Sequence, residues 1–203
     1  MVHAEEAELV AFFRVIYWKS GQNYPEKYWK NGQNSLYLHW KNGQVMIKRK
    51  INNKLCDFYR NSRKALLLTG ARQTGKSFSA RQFGKSEFKH FVELNFIEQP
   101  AARSIFVRAN SAQEILIRLS AFVAEPLVKG ETLIFLDEVQ ECPEAVTAIK
   151  FLVEEGSYRY ILSGSLLGVE MKDLRSAPVG FMDIWQMYLL DVEEFVEAVG
   201  VSS

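Results

Sequence analysis

The chain has 203 residues, of which 48% are hydrophobic and 24% are charged, a composition typical of a globular protein with one substantial core. Because 25 Lys and Arg residues nearly cancel 24 Asp and Glu residues, the net charge of +1 provides no overall field that would draw the protein to nucleic acid or to an anionic membrane. Since the two cysteines and three histidines show no metal-ligand spacing and no apolar run approaches the roughly 18 residues of a membrane span, we expect a cytoplasmic protein without a His or Cys metal site.

The first predicted unit is an N-terminal extension, residues 1–45, in which the motif Trp-Lys-(Asn/Ser)-Gly-Gln occurs three times with a period of eleven residues. This period is shorter than those that build solenoid repeats. Asn-Gly in the later copies is a turn signal, so we predict a hairpin about Asn42 and Gly43. Aromatic residues beside lysines are also typical of single-stranded nucleic-acid binding, but we expect a loosely ordered extension, or a stretch upstream of a true start at Met46.

The second predicted unit, residues 46–203, begins with an amphipathic helix. Apolar residues from Ile47 to Tyr59 recur at helical spacing, and a basic face that includes Arg49 takes the other positions. We interpret this basic face as solvated surface, with phosphate contact as the alternative. Asn61 and Ser62 then end the helix before the first strand of a sheet.

Strand and helix signals alternate beyond residue 62, which is the mark of a parallel sheet with crossover helices. Strands are predicted at residues 65–69, 90–95, 132–136, 158–162 and 181–188, and helices at residues 76–83, 112–123, 144–154 and 192–199. Asp191 and Glu194 have the spacing of a capping box at the start of the last helix. The sequence therefore predicts an α/β fold, a three-layer sandwich around a mainly parallel five-stranded sheet.

A glycine-rich phosphate loop follows the first strand of this sheet and fits the pattern G-x-x-x-x-G-K-[ST] in full. Its glycines allow consecutive backbone N–H groups to turn inward around phosphate oxygens, and the helix that follows adds its positive dipole end. The Lys76 ammonium would reach the β- and γ-phosphates, and the Ser77 hydroxyl would bind Mg²⁺. The alternative is a glycine turn with an incidental lysine. The predicted nucleotide-binding residues are Gly70, Ala71, Arg72, Gln73, Thr74, Gly75, Lys76 and Ser77.

Two adjacent carboxylates end the apolar strand predicted at residues 132–136. Asp137 at the tip of this strand would hold Mg²⁺ through its water shell. Glu138 would then face the γ-phosphate and orient the attacking water or take a proton from it. The alternative is a solvated acidic turn before Pro143, which the presence of the phosphate loop disfavours.

A further apolar strand, predicted at residues 158–162, is followed by Ser163, Gly164 and Ser165. A hydroxyl at this position would contact the γ-phosphate or the attacking water, and we choose Ser163 over Ser165 for that role. An ordinary turn serine is the alternative.

At these residues the chain resembles the AAA+ ATP-binding proteins common in bacteria and archaea. The resemblance lies in a G-A-R-Q-x-G-K-[ST] loop, a strand that ends Leu-Asp-Glu-(Ile/Val)-Gln and a (Thr/Ser)-Gly-Ser turn, which occur here at residues 70–77, 136–140 and 163–165. It covers roughly residues 46–200 and implies a P-loop NTPase fold that binds and hydrolyses ATP with Mg²⁺. The catalytic residues that it implies are Lys76, Glu138 and Ser163, and the metal ligands are Ser77 and Asp137.

Two features depart from the pattern of that family. Residues 1–45 match nothing associated with it. The chain also ends where members continue into a long C-terminal region, so we expect a truncated protein that lacks the helical lid over the nucleotide. The sequence assigns no arginine finger among the candidates Arg103, Arg108, Arg118 and Arg159.

The sequence favours an ATPase whose slow hydrolysis drives a conformational change in itself or in a partner, which would be a second copy of the chain or another protein. The alternative is a truncated or non-catalytic nucleotide-binding switch. A small-molecule kinase is disfavoured because residues 166–180 supply few of the basic residues that an acceptor lid needs. Neither nucleic acid nor a membrane is indicated as a partner.

Overall fold

The computed structural model describes residues 49–165 and 180–194, together with the backbone of two short strands that precede them. The chain divides into two compact units, Met1–Met46 and Ile47–Ser203. Within the described residues, no helix has both the length and the apolar character that crossing a membrane requires.

In the first unit, strand β1 (His39–Lys41) pairs antiparallel with strand β2 (Gln44–Met46). Trp40 lies opposite Val45 in this pair. The pairing agrees with the predicted hairpin about residues 42 and 43. The other predictions for residues 1–45, including the earlier copies of the repeat, lie outside the described residues.

The second unit alternates strands with helices along the chain. Its helices are α1 (Lys50–Asn61), α2 (Lys76–Glu87), α3 (Ala112–Phe122) and α4 (Pro143–Glu155), and two 3₁₀ helices cover Pro100–Ile105 and Val139–Glu141. Its strands are β3 (Ala65–Gly70), β4 (His90–Asn95), β5 (Thr132–Asp137), β6 (Arg159–Ser165) and β7 (Met182–Met187).

These five strands form one sheet in the order β4-β5-β6-β3-β7, and every neighbouring pair is parallel. In this register Leu67 of β3 lies between Leu162 of β6 and Ile184 of β7. The structure confirms the predicted α/β class with a five-stranded parallel sheet. Because all strands point the same way, their carboxyl ends meet at one edge of the sheet, where ligand sites of open α/β sheets lie.

Alternate residues of the central strands face two separate cores. Leu66 and Leu68 pack in one core with residues of α1 and α2, such as Leu55 and Phe83. Leu67 packs in the other core with residues of α3 and α4. Because successive side chains of a strand point to opposite faces, a continuous apolar run is what a strand covered on both sides requires. The unit is therefore the predicted three-layer sandwich.

The main differences from the predicted elements lie at the carboxyl ends of strands. Residues 163–165 were expected in a turn, but β6 continues through Ser165. The reason is pairing with β3, in which Ser163 lies opposite Leu68 and Ser165 opposite Gly70. The 3₁₀ helix at Pro100–Ile105 was not predicted. Of the predicted helix 192–199, residues 192–194 are helical, and the rest lies outside the described residues.

Candidate nucleotide-binding site

The predicted phosphate loop connects β3 to α2 at the carboxyl edge of the sheet. Gly70 closes β3, and α2 begins at Lys76 with Gly75 as its N-cap residue. Asp137 ends the strand β5, two positions away from β3 in the sheet. The loop and the acidic strand end are therefore on one edge.

The shape of the loop depends on three residues with positive φ. These angles are 149° at Gly70, 62° at Gln73 and 89° at Gly75, in a region that L side chains rarely adopt. At Gly70 a close approach adds a second restriction, because a Cβ atom would lie 2.3 Å from the Met187 carbonyl oxygen of β7. The glycine at the start of the loop is therefore required by both conformation and space.

The Lys76 side chain turns back over the loop. Its Nζ donates hydrogen bonds to the carbonyl oxygens of Gly70, at 3.2 Å, and of Ala71, at 2.8 Å. The residue is only 7% exposed. Burial lowers the pKa of Lys76, while the charges of Glu138 and Asp137 act in the opposite direction. The ammonium thus lies inside the loop, near both predicted carboxylates.

Asp137 is the most densely hydrogen-bonded carboxylate of the site and is 2% exposed. Its Oδ1 accepts hydrogen bonds from the Ser77 hydroxyl at 3.0 Å, from the Glu138 N–H at 3.1 Å and from the Ser163 hydroxyl. Its Oδ2 accepts one from Asn95 Nδ2 at 3.3 Å. A buried carboxylate needs such donors in place of water. The predicted metal ligands Ser77 and Asp137 are therefore in direct contact, and Ser163 contacts the same carboxylate.

Glu138 follows Asp137 in a left-handed conformation, with φ 58° and ψ 48°. This non-glycine outlier turns the chain out of the sheet directly after the strand, and it redirects the side chain relative to the strand pattern. The Glu138 Oε2 atom accepts a hydrogen bond from Gln140 Nε2 at 2.6 Å. Gln140, which belongs to the Leu-Asp-Glu-Val-Gln run, therefore orients the predicted water-activating carboxylate.

Sequence reasoning missed two residues that support Asp137 from neighbouring elements. Asn95 ends β4 directly opposite Asp137 in the sheet, and Arg81 Nη2 lies 3.8 Å from Asp137 Oδ2. Arg81 also binds both carboxylate oxygens of Glu93, at 2.8 and 2.9 Å through Nε, and these bonds raise the pKa of Arg81. Asn95 was visible as the polar end of a predicted strand, and Arg81 as a basic residue one helical turn beyond Ser77.

Three of the four candidate arginine fingers have contacts elsewhere. Arg103 donates to Glu141 at 2.8 Å and Arg118 pairs with Glu114. Arg159 begins β6 and donates to the Ser62 carbonyl at 3.0 Å, at the opposite end of the strand from Ser163. Arg108 has a positive φ of 54°. None of these contacts places an arginine at the loop.

The donor atoms at this edge fit a hard divalent cation. Ser77 and Asp137 offer a hydroxyl and a carboxylate oxygen, and Mg²⁺ prefers one or two protein oxygens combined with phosphate oxygens and water. Within the described part of the chain, no group of three or more His, Cys, Asp and Glu residues could hold a metal ion by itself. The residues present therefore fit a cation that arrives together with a phosphate ligand.

Comparison with models of known protein families gives a match over most of the chain. A family model described as AAA domain matches residues 62–196, well over half of the chain. No curated protein matches the chain significantly.

Three solved structures illustrate the proteins to which the chain is similar. A RuvB variant from Thermotoga maritima has 15% identity over 73% of this chain and 47% of its own, with a TM-score of 0.47. A Walker-type ATPase of Pyrococcus abyssi has 16% identity over 76% and 57%, also with a TM-score of 0.47. PCH-2 of C. elegans has 12% identity over 80% and 47%, with a TM-score of 0.44. The chain spans about half the length of these proteins.

Proposed function

This chain belongs to the AAA-domain family, and on that premise we propose that it binds Mg-ATP in the loop Gly70–Ser77 and hydrolyses it slowly, with a coupled conformational change in itself or in a partner. The observation that carries the proposal is the 3.0 Å contact between the Ser77 hydroxyl and the Asp137 carboxylate. It joins the end of the loop to the acidic strand end, so that both can serve one metal-bound polyphosphate.

Lys76 is proposed to bind the β- and γ-phosphates. Its ammonium already lies over the loop on the carbonyl oxygens of Gly70 and Ala71, and a phosphate oxygen would replace these neutral acceptors with charged ones. Coulomb attraction between the ammonium and a charged oxygen adds to the hydrogen bond, whereas a carbonyl oxygen carries only a partial charge. The exchange therefore favours binding of a polyphosphate anion.

Ser77 and Asp137 are proposed to hold Mg²⁺, which would neutralise charge that develops on the phosphates during transfer. The hydroxyl of Ser77 donates to Asp137 in the described structure. With the cation bound, the Ser77 oxygen would be a ligand and Asp137 would hold the cation through its water shell. Ser163 is proposed to position Asp137, because its hydroxyl contacts the same carboxylate oxygen. This contact supports a role through Asp137 rather than the direct phosphate contact expected from the sequence.

Glu138 is proposed to orient the attacking water and to take its proton. The side chain of Gln140 holds the carboxylate from one side at 2.6 Å, which leaves the second oxygen for the water. A trans-acting arginine contributes on the order of 10³–10⁵ in rate to such enzymes. Because the described contacts of Arg103, Arg118 and Arg159 lie away from the loop, we expect slow turnover unless a second copy or a partner supplies such an arginine.

The second candidate is a nucleotide-binding switch without appreciable hydrolysis. The observation that favours it is that the contacts of three of the four candidate arginine fingers lie away from the loop, because the chemical step is slow without such an arginine. The two candidates share the binding site and differ only in the chemical step.

Phosphate release measured beside nucleotide binding distinguishes the two candidates. For the ATPase, the Glu138→Gln variant keeps the affinity for a fluorescent ATP analogue within about threefold but loses at least about 90% of phosphate release, since only the proton acceptor is removed. Equal release from the wild type and from Glu138→Gln would favour the switch. A wild type that binds no analogue at micromolar concentration would overturn the proposal itself.

A further inference from the structure

Arg49, which lies just before α1, contacts the phosphate loop from outside. Its Nη1 donates to the Thr74 carbonyl oxygen at 2.9 Å, and its Nη2 donates to the Tyr188 carbonyl oxygen at 3.0 Å. Its Nε donates to the Glu194 carboxylate at 3.2 Å. The Arg49 side chain is 11% exposed and that of Glu194 is 6% exposed. One largely buried guanidinium therefore joins the loop to residues 188–194, which follow β7.

The contact with Thr74 fixes the orientation of one peptide group of the loop. In a trans peptide the carbonyl oxygen and the following N–H point in opposite directions, and the peptide bonds of the described residues are trans. With the Thr74 carbonyl bonded to Arg49, the Gly75 N–H is directed away from Arg49. Arg49 packs tightly here, because a Cβ atom at Gly75 would lie 3.2 Å from its Nη1. Arg49 thus sets the direction of a backbone donor in the loop.

The other side of Arg49 is anchored by the predicted capping box. The Glu194 N–H donates to Asp191 Oδ1 at 2.8 Å, and the Asp191 N–H donates to Glu194 Oε2 at 3.2 Å. The Glu194 Oε1 atom accepts hydrogen bonds from both Arg49 and the Lys50 N–H, the latter at 2.7 Å. The Glu194 N–H, followed by Lys50, lowers the pKa of Asp191. The capping box and the start of α1 therefore share one buried carboxylate.

We propose that Arg49 is a positioning residue that couples the phosphate loop to residues 188–194, so that a nucleotide in the loop and an ordered capping box stabilise each other. This inference rests on the proposed nucleotide binding. The physical reason is that a buried ion pair tolerates the loss of one partner poorly. A shift of the Thr74 carbonyl therefore disturbs the Glu194 contact, and the reverse holds to the same extent, since coupling between two sites is reciprocal.

The experiment measures nucleotide affinity and amide hydrogen exchange in the full chain. ADP with Mg²⁺ is titrated into the wild type and the Arg49→Ala variant, and exchange at residues 188–194 is followed with and without saturating ADP. The control is Arg60→Ala, which removes an arginine of α1 whose side chain is 73% exposed. We expect the wild type and the control to bind alike and to exchange several-fold more slowly at 188–194 when ADP is bound.

In Arg49→Ala we expect affinity to fall roughly tenfold, because a hydrogen bond from a charged donor to the loop is lost. Saturating ADP should then leave exchange at 188–194 unchanged. A merely structural arginine would change stability without removing this response to ADP. Unchanged affinity together with an unchanged response in Arg49→Ala would overturn the inference while the proposed function stands.

Two further variants keep the inference testable if Arg49→Ala does not fold. Arg49→Lys keeps the charge but has a single donor nitrogen in place of the three guanidinium nitrogens that reach three separate acceptors. Glu194→Gln keeps the size of the side chain but removes the ion pair. Both should reduce the response of residues 188–194 to ADP, and a full response in both would overturn the inference. A wild type that binds no ADP would instead count against the proposed function.

Discussion

The two halves of the candidate site, the phosphate loop and the acidic strand end, are built in different ways. The loop is a backbone structure, with positive φ at Gly70, Gln73 and Gly75. The strand end is a side-chain structure, in which a regular strand delivers Asp137 into a set of hydroxyl and amide donors. The loop should therefore lose its conformation when a glycine is replaced by a residue with a Cβ atom. The strand end should instead be sensitive to substitutions that change one polar group of a side chain.

The largest effect is expected for Gly70→Ala, which changes the backbone conformation of the phosphate loop. The new Cβ atom would lie 2.3 Å from the Met187 carbonyl oxygen, and φ is 149°. We expect the free energy of unfolding to fall by roughly 2–4 kcal/mol and nucleotide binding to disappear.

Gly130→Ala is the matched control for this substitution. Its φ is 75°, and no described atom lies within 4 Å of an added Cβ, so conformational strain alone costs about 1 kcal/mol. Chemical denaturation of the wild type, Gly70→Ala and Gly130→Ala compares their free energies of unfolding. Equal losses in the two variants would contradict the close approach at Gly70.

Lys76→Ala is expected to have the next largest effect, because it removes the cation inside the loop. Its Nζ contacts only backbone oxygens of the loop among the hydrogen bonds described, so the fold should persist. We expect ATP affinity to fall by at least about 100-fold, as loss of charge-assisted hydrogen bonds would require. Lys85→Ala, an exposed position of the same helix, should bind like the wild type. Retained binding by Lys76→Ala in a titration would refute the assigned role.

Asn95→Asp tests the side-chain contacts at the acidic strand end, through the dependence of the protein's stability on pH. The Asn95 Nδ2 atom lies 3.3 Å from Asp137 Oδ2, so a second carboxylate would lie against the first. The cations Arg81 and Lys76, which already interact with Asp137, would offset this repulsion only in part. Two such carboxylates do not both ionise without cost, so the pKa of one rises in the folded state. Because the folded state then binds more protons than the unfolded state, stability falls as pH rises from about 4 to about 7.

Asn95→Ala provides the comparison for that variant, since it removes the same hydrogen-bond donor without adding charge. It also removes the Oδ1 atom that accepts from the Ile97 and Glu98 N–H groups, so we expect a loss of stability of roughly 1–3 kcal/mol. This loss should not change across that pH range relative to the wild type. Denaturation at several pH values in the absence of divalent cations measures both profiles. Parallel profiles for the two variants would show that Asn95 and Asp137 are not in contact.

The smallest effect is expected for Ser163→Ala. Asp137 Oδ1 keeps the donors Ser77 and Glu138 N–H when the Ser163 hydroxyl is lost. We expect a cost of about 1 kcal/mol in stability and a change of a few-fold in ATP affinity. Ser165→Ala, on the same strand, serves as the control. A greater effect of Ser165→Ala on ATP affinity would contradict the assignment of Ser163 to Asp137.

The sequence was sufficient for the parts of this molecule that depend on local pattern. The apolar runs at β3 and β5 predicted both strands, and the Gly70–Ser77 motif predicted the loop between strand and helix. Asp191 and Glu194 were predicted as a capping box from spacing alone, and their hydrogen bonds confirm it. In these cases the deciding interactions join residues that are close in the chain.

Contacts between distant residues could not be predicted in the same way. Arg49 and Glu194 are 145 positions apart, so nothing in the predicted basic face indicated which of its arginines would be largely buried against the rest of the fold. The turn expected at Ser163 proved to be strand, because pairing with β3 extends β6 to Ser165. The 3₁₀ helix at Pro100–Ile105 has too short a run for a periodic signal. Register and burial decide these features, and they emerge only when the sheet is assembled.

The central claim is that the loop and the acidic strand end serve one metal-bound nucleotide, and calorimetric titration of ATP with Mg²⁺ or with EDTA tests it most directly. In the wild type, Mg²⁺ should strengthen binding by at least about tenfold. In Asp137→Asn this gain should largely vanish, whereas in Asp183→Asn, a carboxylate paired with Lys64 at 2.9 Å on the edge strand β7, it should persist. An undiminished gain in Asp137→Asn would contradict the account.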